Sequence, residues 1–398
     1  MSIHSTRTQV LVVGAGPVGL MAALRLREQG VDVRIIEQQS EHAAHIFPVV
    51  LHPMTLRLLA SLGLTDVLFW RGRPVSHLAI YTEGERRAVL DLPEVAGLSS
   101  GALTLPQDVL RKALTNALSN RGVSVEWNTR LASLQQDAQA VRGWLEASLP
   151  HRHAIDEATP PRASSFEADY VIGCDGYDSV VREALGITLV EHGSLHGYAF
   201  FDATTRRAGS EAQLAVSESS CNAFYPLQGG LARFSFQLTG ALHRAPDLNA
   251  LDELITARMP WHHEQVETCE WGGVAEFRHA IVSDFGRGRV WLAGEAAHST
   301  GPLGVQSLNV GLDEASELAL GIGEALRNPS ADSFGDDYSA GRTLQWRELL
   351  GLSQRASLGP RSPAWAWRNF HRILSCLPAS RKDLDDLLDQ LRLTRNDE

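Results

Sequence analysis

A glycine-rich turn near the amino terminus constrains the fold of this chain more than any other feature. Residues 9–13 read QVLVV, a short apolar run that is typical of a buried parallel strand. Gly14, Gly16 and Gly19 follow in the pattern G-x-G-x-x-G, and an alanine- and leucine-rich helix is predicted after them. The second predicted strand, VDVRIIE, ends on Glu37. The pattern therefore predicts a βαβ unit of an α/β fold.

Each residue type in this unit has a mechanical reason for its place. Gly14 permits the tight turn, Gly16 lets the backbone approach a pyrophosphate, and Gly19 lets the helix pack closely on the strand. The helix N-terminus offers N–H groups and a positive dipole end to phosphates. Glu37 is placed to accept hydrogen bonds from an adenosine ribose, and its charge disfavours a 2′-phosphate. The predicted dinucleotide is FAD or NAD, and the motif does not choose between them.

Two later segments favour a flavin. Residues 170–182 read YVIGCDGYDSVVR, and residues 290–315 read VWLAGEAAHSTGPLGVQSLNVGLDEA. Both place a polar loop after a predicted strand, where open α/β sheets bind ligands. Together with the first motif, these segments resemble the class A flavoprotein monooxygenases, the family of para-hydroxybenzoate hydroxylase. The resemblance covers residues 8–325, and it implies a glutathione-reductase-type, Rossmann-like FAD-binding domain with an inserted, mostly antiparallel substrate domain.

The resemblance also implies which residues hold FAD. The motif D-G-x-x-S-x-x-R of the family is complete here and begins at Asp175. Glu295 stands where the family has aspartate, and Val305 and Ser307 replace two of its glycines. The cofactor-binding residues predicted in this way are Gly14, Gly16, Gly19, Glu37, Gln107, Leu131, Asp175, Gly294, Glu295, Gly304, Leu308 and Asn309.

One residue that the family usually has is missing. The resemblance leads us to expect an arginine shortly after the ribose-binding acid, but Phe47 occupies that place. FAD binding is therefore expected to depend more on backbone donors. His52 lies in the same segment, and we interpret it either as a loop histidine with satisfied hydrogen bonds or as a point of covalent flavin attachment.

The activity implied by the resemblance is hydroxylation or epoxidation of an apolar, aromatic or polycyclic small molecule, with O2 added at flavin C4a as a hydroperoxide. NADH or NADPH would reduce FAD and leave, because no second dinucleotide motif follows the first. The candidate catalytic residues are Pro302, beside the expected flavin edge, and Tyr225 and His196, as acid–base groups for a phenolic substrate. Two alternatives stay open: an FAD-dependent reductase or oxidase on the same fold, and a non-catalytic flavin-fold partner protein.

The chain is predicted to fold as a discontinuous FAD-binding domain (1–75, 100–190 and 275–330), a substrate domain (76–99 and 191–274) and a C-terminal helical segment (331–398). Alternating apolar and polar residues predict antiparallel strands in the substrate domain. The polar stretch 147–168 is predicted to be an irregular loop. The aromatic stretch AWAWRNFHRILSCL, residues 364–377, could pack on the sheets, form a dimer contact or contact a membrane surface.

Composition narrows the choice of partners and compartment. The net charge of −11, without a dense lysine or arginine block, argues against nucleic-acid binding. The four cysteines are scattered and lack metal-ligand spacing, which predicts a reducing compartment and no metal site. No apolar run reaches the roughly 20 residues of a membrane span. We therefore expect a cytoplasmic monomer or homodimer that acts on a small aromatic molecule.

Overall fold

Two eight-stranded sheets organise the part of the chain that the computed structural model describes. The described residues are 6–41, 48–95, 97–98, 101–147, 162–206, 209, 211–240, 246–328, 334–352, 356–357 and 362–395. Phe47, whose place in the sequence departs from the family pattern, lies outside them.

The strands and helices follow one another as a mixed α/β chain. The strands are β1 (Thr6–Val13), β2 (Val33–Ile36), β3 (Pro48–Leu51), β4 (Arg73–Val75), β5 (His77–Thr82), β6 (Glu85–Asp91), β7 (Ala102–Pro106), β8 (Val125–Glu126), β9 (Thr129–Gln136), β10 (Val141–Ala147), β11 (Arg162–Gly173), β12 (Leu189–Thr205), β13 (Glu211–Val216), β14 (Cys221–Pro226), β15 (Leu231–Gln237), β16 (Val266–Val282), β17 (Gly286–Arg287), β18 (Val290–Leu292), β19 (His298–Ser299), β20 (Ala356–Ser357) and β21 (Thr394–Arg395). The helices are α1 (Pro17–Glu28), α2 (Pro53–Ser61), α3 (Thr65–Arg71), α4 (Gln107–Ser119), α5 (Val180–Ala184), α6 (Leu248–Arg258), α7 (Gln306–Arg327), α8 (Phe334–Leu349), α9 (Ala364–Arg368), α10 (Phe370–Cys376) and α11 (Arg381–Gln390).

The first sheet has the parallel order β18-β11-β1-β2-β8, with β17 antiparallel at one edge. The second half of the central strand β1 is apolar on both faces, and Val10, Leu11 and Val12 are fully buried. α1 returns the chain from β1 to β2, as the glycine motif predicts. β10 extends the sheet by antiparallel pairing with the first half of β11, and β9 pairs antiparallel with β10. The carboxyl ends of β1, β2 and β11 therefore open at the same edge.

The second sheet has the order β19-β16-β12-β15-β14-β13-β5-β6. Its neighbours are antiparallel apart from the parallel pair β5 and β13. Residues alternate between its two faces, so that Phe201, Phe234 and Phe236 pack on one side with α6. Tyr198, Phe200 and other side chains of the opposite face join the main core. The predicted α/β class, with an antiparallel sheet beside the dinucleotide-type sheet, is confirmed.

Two predictions about connecting segments need correction. The polar stretch 147–168 is not a loop throughout, because β11 already begins at Arg162 and pairs with both β1 and β10. The C-terminal segment is not purely helical, because β20 and β21 form a two-stranded sheet. In both places backbone pairing with a distant strand decides the structure, and local composition gives no sign of it.

The aromatic stretch of the C-terminal segment packs inside the protein. Phe370, Ile373 and Leu374 of α10 are buried, and Trp365 and Trp367 contact the same core. This arrangement supports the first of the three interpretations, packing on the sheets. Among the residues that the structure describes, no helix has the length and apolar character needed to cross a membrane.

Candidate functional site

A cavity of about 570 Å³ lies between the two sheets. Its wall combines the open edge of the first sheet, the segment before α7, and the inner face of β12, β14, β15 and β16. The residues predicted from sequence that line it are Gly14, Gly16, Glu37, Gln107, Leu131, Asp175, Tyr225, Glu295, Pro302 and Leu308. The fold thus brings together side chains that are separated by almost 300 residues of sequence.

The three glycines of the first motif meet three different surroundings. Gly14 has a φ of +102°, and a Cβ there would lie 2.3 Å from the carbonyl oxygen of Cys174. A Cβ at Gly19 would lie 1.9 Å from the carbonyl oxygen of Gly14, so α1 can pack on β1 only with glycine at this position. A Cβ at Gly16 would meet no protein atom within 4 Å and would project into open space. Backbone geometry and packing therefore explain two glycines, and space for a ligand explains Gly16.

Glu37 holds the glycine turn as well as lining the cavity. One carboxylate oxygen accepts a hydrogen bond from the Ala15 N–H at 2.8 Å, and the other accepts from the Gln39 N–H at 2.9 Å. Gly16 is the N-cap of α1, and because glycine has no side chain, the N–H groups of the first helical turn receive no side-chain hydrogen bond from it. The N-terminus of α1 therefore faces the cavity as a site for an anionic group.

The motif that begins at Asp175 fastens two distant loops to each other. The Ser179 hydroxyl donates to the Asp175 carboxylate at 2.6 Å and accepts from the Arg182 N–H at 3.0 Å. The Arg182 guanidinium then donates to the carbonyl oxygen of Ala296 at 3.0 Å. Burial raises the pKa of Asp175, and the hydrogen bonds from Ser179 and Val181 oppose that shift. The motif thus connects the end of β11 to the segment after β18 through hydrogen bonds.

The segment between β18 and α7 is built differently from the family pattern. Val305 adopts a left-handed backbone, with φ of 51°, at the N-cap of α7. This conformation is strained for a β-branched residue and natural for the glycine that the family has there. The Ser307 hydroxyl accepts a hydrogen bond from the Thr300 N–H at 3.1 Å, which closes the turn. Glu295 lines the cavity. Desolvation in this enclosed position raises the pKa of its carboxyl group, and the nearby His298 opposes that shift.

Gly19 packs against Gly14 and does not line the cavity, and neither do three further residues that were predicted to contact the cofactor. The Gly294 N–H donates to the carboxylate of Glu314 at 3.0 Å, so the amide is already used. A Cβ at Gly304 would lie 2.3 Å from the carbonyl oxygen of Ser375, which places this glycine against the C-terminal segment. The third residue, Asn309, points toward β3. These residues support the wall from behind, and the structure corrects their predicted placement.

Asn309 joins α7 to the segment that contains His52. Its side-chain oxygen accepts from the His52 N–H at 2.8 Å, and its side-chain nitrogen donates to the Val50 carbonyl at 2.7 Å. The His52 ring is fully buried and donates from Nε2 to the carbonyl oxygen of Gly304 at 2.7 Å. Burial lowers the pKa of His52 to about 3. His52 does not line the cavity, which argues against covalent flavin attachment. Its hydrogen bonds are satisfied only in part, because its buried Nδ1 has no partner among the described residues.

The segment 293–305 between β18 and α7 is called the distal turn. A buried polar cluster behind it was not predicted from sequence. Glu314 of α7 accepts hydrogen bonds from His298 Nε2 at 2.8 Å and from Trp346 Nε1 at 2.5 Å, in addition to the Gly294 amide. Burial alone would raise the pKa of Glu314, but the adjacent His298 and Arg342 bring it below its usual range. The cluster connects α7 and α8 to the turn, so it positions the turn without entering the cavity.

The three candidate catalytic residues differ in position. Pro302 lines the cavity, and its carbonyl accepts from the Val305 N–H at 3.3 Å. Tyr225 also lines it, but its hydroxyl donates to the carbonyl of Leu303 at 3.2 Å, and burial raises its pKa. Tyr225 is therefore better suited to hold the turn than to exchange a proton. His196 is absent from the lining because its ring packs against His279 and contacts Gln237 at 3.1 Å, a correction to the prediction.

The second sheet supplies an aromatic wall with one buried cation. Phe200, Phe277, Arg233 and Ser235 line the cavity beside Pro302. The sequence analysis did not identify Phe277, Arg233 or Ser235 as residues of the site. The signal lies in the strand LARFSFQ, where alternation with the buried phenylalanines turns the arginine and the serine to the opposite face.

The described residues fit an extended dinucleotide with a flavin. The open space at Gly16 and the α1 N-terminus suit a pyrophosphate, and Glu37 and Leu131 lie at the end where an adenosine would be held. Gln107, Asp175, Glu295 and the α7 N-terminus follow along the same wall. A family model described as "FAD binding domain" matches residues 7–351 of the chain.

This chain belongs to the FAD binding domain family. The glycine motif leaves open whether the cofactor is FAD or NAD. The family match decides this choice in favour of FAD.

Relatives of known activity are similar over most of the chain. It is 28% identical to 6-methylpretetramide 4-monooxygenase of Streptomyces rimosus over 360 residues, which cover 88% of this chain and 61% of the relative. It is 27% identical to 3-(3-hydroxy-phenyl)propionate/3-hydroxycinnamic acid hydroxylase of Mycolicibacterium smegmatis over 350 residues, 86% of this chain and 60% of the relative. The chain therefore spans about three fifths of the length of these relatives.

Solved structures share the fold. The p-nitrophenol 4-monooxygenase PnpA of Pseudomonas putida DLL-E4 has a TM-score of 0.72 at 22% identity, with 98% of each chain covered. The flavin-dependent monooxygenase PieE in complex with FAD and substrate has a TM-score of 0.66 at 21% identity, covering 97% of this chain and 71% of that one. The architecture is thus the one on which those two proteins are built.

Proposed function

We propose that the protein is an FAD-dependent monooxygenase that uses NADH or NADPH and O2 to hydroxylate or epoxidise an aromatic or polycyclic small molecule. The observation that carries the proposal is the cavity that joins the FAD-type edge of the first sheet to the aromatic face of the second. The relatives named above, which are monooxygenases and hydroxylases of aromatic compounds, support it.

Residues at different positions along the cavity would bind the cofactor and the substrate. Bound FAD would carry electrons from the nicotinamide donor and activate oxygen. The α1 N-terminus and Gly16 would bind its pyrophosphate, Glu37 its ribose, and Asp175 and Glu295 its ribityl chain. The aromatic wall would orient the substrate beside Pro302 and exclude water, so that oxygen is transferred to the substrate and not lost.

The three predicted domains of the chain correspond to these roles. We propose that residues 1–75, 100–190 and 275–330 hold the cofactor, that 76–99 and 191–274 hold the substrate, and that 331–398 supports the distal turn. The contacts of Gly304 and Gln306 with residues 375–379 support the last assignment. Scattered cysteine usage supports a cytoplasmic location. Whether the protein is a monomer or a homodimer stays a prediction.

The test is the rate of NADH and NADPH oxidation by the FAD-loaded protein, with and without each member of a panel of aromatic compounds. We expect at least one aromatic to accelerate the oxidation while hydrogen peroxide stays below the amount of NAD(P)H consumed. An FAD-dependent oxidase or reductase, the alternative activity on this fold, would release peroxide in step with NAD(P)H whatever aromatic is added. A protein that takes up no FAD would rule out both activities.

A further inference from the structure

Two of the four cysteines meet where the C-terminal segment packs on the second sheet. Cys221 is the first residue of β14, and Cys376 is the last residue of α10. Both side chains are buried, with 5% of each residue exposed. Their thiols lie near enough for Cys376 to act as a hydrogen-bond partner of Cys221. The fold therefore creates a pair of thiols that the wide spacing of the cysteines in the sequence does not predict.

Hydrogen bonds on both elements hold this pair in place. The Cys221 N–H donates to Gln237 Oε1 of β15 at 2.8 Å. The Arg372 guanidinium of α10 donates at 2.8 Å to the carbonyl oxygen of Ser217, which lies in the turn between β13 and β14. These bonds fix the end of α10 against the start of β14, so the two sulfur atoms stay together in the folded protein.

One thiol of the pair is more acidic than the other. The hydrogen bond from Cys376 and the positive charge of Arg372 lower the pKa of Cys221, against the effect of burial. The same hydrogen bond and burial raise the pKa of Cys376. Burial also raises the pKa of Cys174 and Cys269, the other two cysteines. Because the thiolate is the reactive form of cysteine, Cys221 is the expected nucleophile, and Cys376 is the thiol placed to react with its oxidised sulfur.

We propose that Cys221 and Cys376 form a dithiol site that hydrogen peroxide oxidises to a reversible disulfide, which joins α10 to β14. In a reducing compartment, which the cysteine usage predicts, disulfides of this kind are usually transient and serve redox sensing. The site is separate from the residues that line the cavity, since neither cysteine belongs to its wall.

The oxidation has two steps. In the first step the Cys221 thiolate attacks an oxygen atom of the peroxide, the O–O bond breaks, hydroxide leaves and a sulfenic acid forms. In the second step the sulfur of Cys376 attacks the sulfenic sulfur, the S–O bond breaks, the S–S bond forms and a second hydroxide leaves. The two protons lost by the thiols convert both hydroxides to water. The two sulfurs together lose two electrons, and the peroxide gains them.

The dithiol site lies directly behind the distal turn. A Cβ at Gly304 would lie 3.1 Å from the Cα of Cys376. Tyr225, on the same strand as Cys221, donates from its hydroxyl to the carbonyl oxygen of Leu303 at 3.2 Å. A disulfide would therefore join the two elements that contact this part of the turn. The proposed function supplies a source of oxidant beside it, because reduced oxygen that is not transferred to a substrate leaves as peroxide.

The test treats the purified full-length protein with hydrogen peroxide, unfolds it in urea with N-ethylmaleimide to block the remaining thiols, and maps its proteolytic peptides by mass spectrometry without reduction. We expect a cross-linked pair of peptides that contains Cys221 and Cys376, and we expect dithiothreitol to separate them. Recovery of both cysteines as free thiols, as sulfinic acids, or in cross-links to Cys174 or Cys269 would overturn the inference. Because the peroxide is added and no turnover is measured, the outcome does not depend on the proposed function.

Single variants test the role of each sulfur. C376A should leave Cys221 as a sulfenic acid that dimedone traps, whereas C221A should leave Cys376 as a free thiol. C269A is the matched control, because it removes a half-buried thiol from β16 of the same sheet, and it should retain the cross-link. A sulfenic acid on Cys376 in C221A, with none on Cys221 in C376A, would contradict the assigned roles. Mapping of the parent protein needs no variant, so the inference can be tested even if a variant does not fold.

Urea distinguishes a site built by the fold from chance pairing of thiols. Protein that is oxidised after unfolding should show no preference for the Cys221–Cys376 cross-link, because the contact between α10 and β14 is lost. Protein that is oxidised in the folded state should unfold at a higher urea concentration than the reduced protein, since the bond closes a long loop in the unfolded chain. Dithiothreitol should restore the original midpoint. The same preference in folded and unfolded protein, or a midpoint that does not rise, would contradict the inference.

Discussion

At the scale of single residues, Gly16 carries the clearest sign of a ligand. Neither φ nor protein packing requires a glycine there, and the missing side chain leaves open space at the α1 N-terminus. We predict that Gly16→Glu abolishes FAD retention, because a carboxylate side chain would occupy the path of the pyrophosphate and repel it. The flavin absorbance of the purified variant, before and after incubation with FAD, measures the effect.

Gly240→Glu is the matched control for this prediction. Gly240 is exposed, has no protein atom within 4 Å of its Cβ position, and lies outside the cavity lining. The control variant should bind FAD like the parent protein, and both variants should keep the circular dichroism of the unliganded parent. Full flavin content in Gly16→Glu would show that the pyrophosphate lies elsewhere.

His52 gives a prediction about pH. Its pKa is about 3 in the folded protein against an ordinary value of 6.5, because burial disfavours the charged ring. Between these values the unfolded chain binds more protons, so the contribution of His52 to the free energy of unfolding is complete above pH 6.5 and falls as the pH decreases toward 3. His52→Gln keeps a donor for Gly304 but does not titrate. Its free energy of unfolding should therefore depend less on pH.

Urea titrations at successive pH values check this prediction. Between about pH 6 and about pH 4, the slope of the free energy of unfolding against pH should be shallower in His52→Gln by roughly 1 kcal/mol per pH unit. Parallel curves for the two proteins would mean that His52 becomes protonated without unfolding.

At the scale of elements, the distal turn is held by the C-terminal segment as well as by α7. A Cβ at Gly304 would lie within 3.1 Å of Cys376 backbone atoms in addition to the close approach to Ser375. We predict that Gly304→Ala lowers the free energy of unfolding by about 1–3 kcal/mol, as expected for overpacking, and weakens FAD binding by displacing the turn. Chemical denaturation and FAD titration of the same sample measure both effects.

Gly341→Ala provides the comparison within α8. Its Cβ would meet no protein atom within 4 Å, and alanine favours helix over glycine by up to about 1 kcal/mol. This variant should be at least as stable as the parent and bind FAD equally. If Gly304→Ala behaved like Gly341→Ala, the C-terminal segment would not support the turn.

The sequence predicts those parts of the fold and site that local patterns specify. The βαβ unit follows from glycine spacing and a continuous apolar run, and Asp175 falls on the cavity wall because its loop directly ends a buried strand. The first half of the strand Arg162–Gly173 escaped prediction, because it is polar and is held by pairing with β1 and β10. Such pairing depends on tertiary contacts, which composition does not encode locally.

Dependence on tertiary contacts also explains why three site residues were predicted to line the cavity and do not. Gly294, Gly304 and Asn309 stand in a motif whose backbone runs beside the cavity, but packing against α7 and α10 decides which residue faces inward. The Arg233–Asp202 pair forms between neighbouring strands of the second sheet, so neither residue alone predicts the pair. Strand alternation shows that Arg233 is on the cavity face only after the partner strands are known.

At the scale of the whole molecule, the two sheets enclose one space between them. The first sheet presents helix N-termini and carboxylates to it, and the second presents aromatic rings and an arginine. A cofactor that spans the first sheet edge would place its far end beside Pro302 and the aromatic wall. This enclosure is the reason to expect oxygen transfer to a bound aromatic and not simple release of reduced oxygen.

The measurement that tests this account most directly is the fate of isotope-labelled O2 during NAD(P)H oxidation in the presence of an aromatic that accelerates it. Mass spectrometry of the aromatic and an assay of hydrogen peroxide follow the oxygen. The account predicts that a single labelled oxygen atom is incorporated into the aromatic product, with peroxide well below the NAD(P)H consumed. Recovery of the label in hydrogen peroxide alone, with every accelerating aromatic unchanged, would contradict it.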